Sequence, residues 1–257
     1  MYHRVLREPS RGPFDTWVLA SAMRRQLEHL RREGIEAITF RDLERPAPPG
    51  RRRVILTFDD GYLDNYTTLF PLLQAYGARA VIFMVTGRAS NGWDVPKGEP
   101  EQPLMTPAQA REMAAHGIEF GGHTRHHLSL EAASPEVVRE EVRGCKADLE
   151  DWLGVPPVSF AYPYGAGPQP VRRAVEEAGF RWGVATKSGP LHLGEDRYQV
   201  RRLAISHRTG MFTFRLKAGG RYHLPLHGLL YVPGMGRRAE GGPGGAGDGA
   251  GPGETSR

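Results

Sequence analysis

The feature that most constrains the fold is a recurring alternation of short, β-branched apolar runs with longer amphipathic stretches. Val54-Ile55-Leu56-Thr57-Phe58, Ala80-Val81-Ile82-Phe83-Met84-Val85, Ile118-Glu119-Phe120, Val158-Ser159-Phe160-Ala161-Tyr162 and Trp182-Gly183-Val184-Ala185 read as strands. Met1 to Leu6 and Ile35 to Phe40 add strand-like segments, with a turn-rich stretch after the first. Helices are expected through Met23, Leu27 and Leu30 to Gly34, from Tyr66 to Tyr76, from Ser134-Pro135 to near Trp152, and from Gln169 to Gly179. Thr106-Pro107-Ala108-Gln109 joins an N-cap, a first-turn proline and a capping-box glutamine, opening a helix that stops at Gly117. The Pro-rich Arg45 to Gly50 and the stretch around Asn91-Gly92-Trp93-Asp94 are loops. Such alternation predicts a mainly parallel sheet covered by helices, and polar residues just past the strands predict a site at the mouth of a barrel-like fold.

A chain of 257 residues, 39% of them hydrophobic, can bury one large core, so a single catalytic domain is expected over residues 1–233. Residues 234–257, rich in Gly and Ala, are expected to be a disordered tail. The formal charge of +5 comes from dispersed arginines without a long run of like charge, which argues against a nucleic-acid partner. Cys145 is the only cysteine, which excludes an intrachain disulfide and a thiolate zinc site, and it is expected to pack in a helix. No stretch reaches the roughly 18 apolar residues of a membrane span, and no signal-peptide core opens the chain. As written, the expectation is a cytoplasmic protein; an upstream start would make an extracellular or envelope location the expectation.

Three segments can carry chemistry. Asp59-Asp60-Gly61 follows an apolar strand, and two adjacent carboxylates in a dry site need a counter-charge such as a cation; as Asp-Asp-Gly they also suit a solvated turn. His123 and His127 share one side of the chain if that segment makes a helical turn, giving two metal ligands; with His126 beside them, an ordinary polar loop is the competing reading. Ala161-Tyr162-Pro163-Tyr164-Gly165 closes a strand with a proline and a glycine that can hold a backbone N–H in a fixed direction, as an oxyanion hole requires, or make a plain turn.

Taken in order, Thr57-Phe58-Asp59-Asp60-Gly61, His123-Thr124-Arg125-His126-His127 and Phe160-Ala161-Tyr162-Pro163-Tyr164-Gly165 resemble the polysaccharide deacetylases of carbohydrate esterase family 4. The resemblance spans roughly residues 1 to 216. Asn91-Gly92-Trp93-Asp94 and Gly117-Ile118-Glu119-Phe120-Gly121-Gly122-His123 look like its poly-N-acetylglucosamine deacetylase branch.

It implies an α/β fold, a distorted (β/α)7 barrel, and removal of N-acetyl groups from an acetylated carbohydrate. It also implies a divalent metal, usually Zn2+, bound by Asp60, His123 and His127, with Asp59 as general base. Tyr164 would offer its backbone N–H to the oxyanion, and Pro163 and Tyr164 would contact substrate. In this branch the elements look circularly permuted, so Tyr2-His3 supplies the acid; His3 is favoured over His207.

The sequence departs from the family at Ala161, where an arginine usually orients the base, and Arg201 or Arg202 is the expected replacement. Only two residues precede His3, so the first strand is expected to be frayed or the start to lie upstream. Trp93 and Trp182 are candidate sugar-stacking faces, with buried packing the commoner role for tryptophan. The competing functions are a catalytically silent glycan-binding barrel and a metal-dependent hydrolase of a non-sugar amide.

Overall fold

The computed structural model describes residues 1–45, 49–165, 167–186 and 196–220. Contacts divide the chain into a unit Met1–Tyr222 and a remainder, 223–257; the remainder, with the expected tail at 234–257, lies outside the described residues.

Five strands, β5 (Thr57–Phe58), β6 (Val81–Met84), β7 (Glu119–Gly122), β8 (Ser159–Ala161) and β9 (Trp182–Val184), pair in that order, all parallel, in one curled sheet. Helices α2 (Phe70–Tyr76), α3 (Pro107–Ala115), α4 (Pro135–Leu153) and α5 (Gln169–Glu177) form the crossovers that parallel pairing demands. Two short pairs accompany the sheet: β1 (Arg4–Leu6) with β2 (Trp17–Leu19), and β3 (Glu36–Ile38) with β4 (Arg53–Ile55), while α1 (Ala20–Arg32) follows β2 and α6 (Met211–Ala218) ends the described chain. The turn-rich stretch after Leu6 thus ends in a strand, β2, that composition did not announce.

Strand alternation sorts the core. On β6, Val81 and Phe83 join an inner cluster with Phe40, Val158, Ala161, Trp182 and Val184, whereas Ile82 and Met84 pack with side chains of α1, α2 and α3. Both faces are covered, which is why β6 is apolar at every position. Cys145 is fully buried on α4, and burial pushes its thiol up to about 12. Trp182 is 5% exposed, 5.8 Å from Phe40 between ring centroids, so it belongs to the core and offers no sugar face.

Backbone bonds continue beyond both sheet edges. Tyr2 bridges Phe58 in parallel on one side, and Val200 bridges Val184 on the other. The Ile205 N–H donates to the Met1 carbonyl at 2.8 Å, and the Met1 amine donates to the Leu203 carbonyl at 2.9 Å, joining those two outer segments. The first residues are therefore paired, contrary to the expectation of a frayed start.

Candidate active site

The strand β5 ends at Phe58, and the chain turns at once: Asp60 has φ 76° and Gly61 φ 75°. Asp60, Thr124, His127 and Tyr164 are the non-glycine residues with positive φ among the described residues, at 76°, 66°, 58° and 61°, and all four lie just past β5, β7 or β8. Each such conformation costs about 1–2 kcal/mol for an L-residue, so their gathering at one end of the sheet marks where side chains are aimed rather than relaxed.

These turns converge Asp60, His123 and His127. Their ligand atoms lie within 4.8 Å of one another, and all three residues are buried. The expected helical turn over 123–127 does not form: the segment is an irregular loop with positive φ at Thr124 and His127, its His127 N–H capped by the Thr124 hydroxyl at 2.9 Å. A loop of this shape brings the two imidazoles together as a helical turn would have done.

The donor set fits a cation. His123 Nδ1 sits 2.7 Å from the Ala161 carbonyl oxygen, so Nδ1 carries the proton and donates there, and Nε2 presents its lone pair to Asp60. Asp60 Oδ1 is 3.3 Å from both His123 Nε2 and His127 Nε2, yet it is buried without a hydrogen bond among the described residues. An acceptor-rich triad of two imidazoles and a carboxylate is an N/O donor set that can hold a divalent cation. Trp93 stacks on the His127 ring at 4.4 Å and 21°, and Tyr164 meets its edge at 5.0 Å, so the ligand is wedged from two sides.

His126 is accounted for differently. Glu141, buried on α4, accepts from the backbone N–H groups of Arg125 and His126, both at 2.9 Å, and lies 2.6 Å from His126 Nδ1. That carboxylate holds the loop, and nothing in the sequence separates it from the solvated glutamates of the same helix.

Asp59, 3% exposed, is gripped by Arg202: Nη1 donates to Oδ1 at 2.6 Å and Nη2 to Oδ2 at 2.8 Å. Arg202 Nε donates to the Ala185 carbonyl at 2.8 Å, and its guanidinium lies over the Phe83 ring at 5.5 Å. Burial pushes the Asp59 carboxyl up, but the charge and hydrogen bonds of Arg202, with His123 and His3 nearby, hold it below its ordinary range. Of the two candidates to replace the arginine absent at Ala161, the structure brings Arg202 to Asp59; Arg201 is exposed.

His3 contributes to the electrostatic environment of both Asp59 and Asp60. His207 lies elsewhere, stacked on Trp17 at 4.2 Å with Nε2 3.6 Å from Asp15. Pro163 is buried, and Tyr164, 55% exposed, presents its ring beside His127 with Lys97 Nζ 3.3 Å from its hydroxyl.

A buried carboxylate held by an arginine, three residues that could hold a cation and a left-handed turn gather at one mouth of a parallel α/β sheet, the arrangement of a candidate hydrolase site. The polysaccharide deacetylase family matches residues 47–183, more than half of the chain, and the chain belongs to that family. YxkH of Bacillus subtilis is 31% identical over 158 residues, 62% of this chain and 53% of that protein. The poly-beta-1,6-N-acetyl-D-glucosamine N-deacetylase of Escherichia coli K12 is 38% identical over 126 residues, 45% of this chain and 19% of that protein. The chain spans about half the length, or less, of these curated relatives. Among solved structures, the Streptococcus pyogenes deacetylase PplD in complex with acetate aligns with a TM-score of 0.72 and 26% identity, over 85% of this chain and 96% of that one. His3 and Arg202, the outer members of the site, lie beyond the matched span.

Proposed function

We propose that the chain hydrolyses the N-acetyl amide of an N-acetylglucosamine-containing carbohydrate and releases acetate. The observation that carries this reading is the Asp60–His123–His127 cradle beside an Asp59 that Arg202 keeps ionised. The same reading takes the sheet as a distorted (β/α)7 barrel. Seven parallel segments, Tyr2, β5 to β9 and Val200, follow one another, and the bonds between Met1 and Leu203–Ile205 support closure.

Asp60, His123 and His127 would hold a divalent ion, with zinc favoured by the donor set. When bound, it supplies Lewis acidity to the attacking water and to the acetyl carbonyl. Asp59 accepts the water proton, and Arg202 fixes the carboxylate in orientation while keeping it charged. His3 donates the proton that the departing amine nitrogen needs. Tyr164 turns its backbone N–H toward the developing oxyanion, and the adjoining Pro163 stiffens the turn and, with the Tyr164 ring, meets the sugar.

Acetate release from N-acetylglucosamine oligomers tests this, with chelator-treated, zinc-restored and Asp59→Asn protein in parallel. Release should need zinc and fall about 10²–10⁴-fold in Asp59→Asn. Stoichiometric metal binding without release would point instead to a silent glycan binder or to a hydrolase of another amide.

A further inference from the structure

We infer that Asn65, assisted by Asp64, is a positioning residue for His3, and that it sets the general acid against the base through one continuous segment of chain. The inference rests on the acid role proposed for His3. Asn65 is fully buried, and its Nδ2 donates to the His3 carbonyl oxygen at 2.9 Å and to Asp64 Oδ1 at 3.2 Å. Asp64 Oδ1 also accepts the Val5 N–H at 2.8 Å, and Oδ2 accepts from Arg4 Nε at 2.9 Å. The other flank of His3 is fixed by Tyr2, whose N–H donates to the Thr57 carbonyl at 2.8 Å and whose carbonyl accepts the Asp59 N–H at 3.0 Å.

Four of the backbone ties around His3 thus lead to the stretch Thr57–Asn65, while the Arg4 N–H donates to the Thr16 carbonyl at 3.1 Å. That stretch also carries the base Asp59 and the cradle residue Asp60. The proposed acid and base and one of the three cradle residues are therefore indexed to a single stretch of chain, whereas His123 and His127 reach the cradle from beyond β7.

The Asn65 amide has one workable orientation. Rotated by 180°, it would set Oδ1 against two acceptors, the His3 carbonyl and the Asp64 carboxylate. As placed, Oδ1 is buried without a partner among the described residues, a cost of about 1–3 kcal/mol. Asn65 also opens the π-helical turn Asn65–Leu69, a geometry that widens the helix at its first residue and that recurs at functional sites.

Leaving-group dependence separates this role from a structural one. An amide needs its nitrogen protonated to depart, whereas an activated aryl acetate departs without an acid. We expect Asn65→Ala to lower kcat on N-acetylglucosamine oligomers about 10- to 100-fold. KM, and hydrolysis of 4-nitrophenyl acetate, should stay within about 2-fold, since neither depends on proton delivery. His3→Ala should show the same selectivity with a larger loss.

Equal losses on both substrates, or none, in Asn65→Ala overturn the inference. Selective loss in His3→Ala without it in Asn65→Ala removes only the positioning role. No selectivity in His3→Ala removes the acid assignment, and the inference falls with it. Should Asn65→Ala fail to fold, Asn65→Ser, which retains a donor, is read by the same two-substrate ratio.

Discussion

At the scale of the residue, the base role proposed for Asp59 sets the chemical problem. A general base must be both dehydrated and ionised, and burial works against ionisation. Arg202 resolves this with a bidentate fork at 2.6 and 2.8 Å, a geometry that lysine cannot reproduce. Arg202→Ala should leave Asp59 buried and unpaired, costing about 3–5 kcal/mol of stability. It should also move the acid limb of the kcat/KM profile upward in pH. The sign follows from the forces on the carboxyl: Arg202 holds its pKa down, so without it burial dominates and less Asp59 is ionised at any given pH. A pH–rate profile of Arg202→Ala and Arg202→Lys checks this, and an acid limb left in place in both would refute it. The absence of arginine at Ala161 was readable from the sequence, but the choice between Arg201 and Arg202 was not. It turns on which way each side chain leaves the backbone beside β9, and two adjacent arginines offer the same letter to both directions.

At the scale of the element, β7 shows how far patterning reaches. Its position before His123 was legible from Ile118-Glu119-Phe120, yet the strand also includes Gly121 and Gly122, weak strand formers. They are there because the sheet is tight: a Cβ on Gly121 would stand 2.6 Å from the Phe83 ring and 2.7 Å from the Ser159 carbonyl oxygen. Less legible still was Glu119, buried at the opposite end of the strand, accepting the Arg41 N–H at 3.0 Å and the Ser159 hydroxyl at 3.2 Å. Burial is the largest influence on its carboxyl and raises it above the ordinary 4.5, the hydrogen bonds offsetting this only in part. A group whose folded pKa is raised stabilises the fold below its unfolded pKa, and that contribution is lost as pH rises through the folded value. Glu119→Gln, always neutral, should therefore be more stable than the native chain at pH 8, with the advantage shrinking as pH approaches 4.5. Thermal melts across that range check it; a lower Tm for Glu119→Gln at pH 8 would show that the charged form is well accommodated.

At the scale of the whole molecule, the alternation of strands and helices was legible because it is written in apolar periodicity. The joining of the two outer segments was not. Val200-Arg201-Arg202-Leu203-Ala204-Ile205 carries two arginines and little alternation, and its role comes from backbone bonds to Met1 and from one side chain, Arg202, directed inward. β2 escaped for a related reason, since three residues are too few to show a period. The proposed cation cradle depends on this global arrangement, because Asp60 follows β5 whereas His123 and His127 follow β7, with β6 between them. Three candidate ligands so separated in sequence, 60 against 123 and 127, meet in the folded chain and scatter in the unfolded one, so the proposed metal binding would be linked to folding. Zinc at about 100 times its Kd should add roughly 2.7 kcal/mol, a rise of roughly 5–10 °C in Tm for a chain of this size. Asp60→Asn should abolish the shift, because the shared carboxylate oxygen facing both imidazoles is lost as an anion. Asp59→Asn should retain most of it, since Asp59 lies outside the ligand cluster and Asn still accepts from Arg202. Differential scanning fluorimetry with and without zinc separates the two aspartates: an equal loss of the shift in both variants would mean that they bind the ion together, and the division between base and ligand would have to be redrawn.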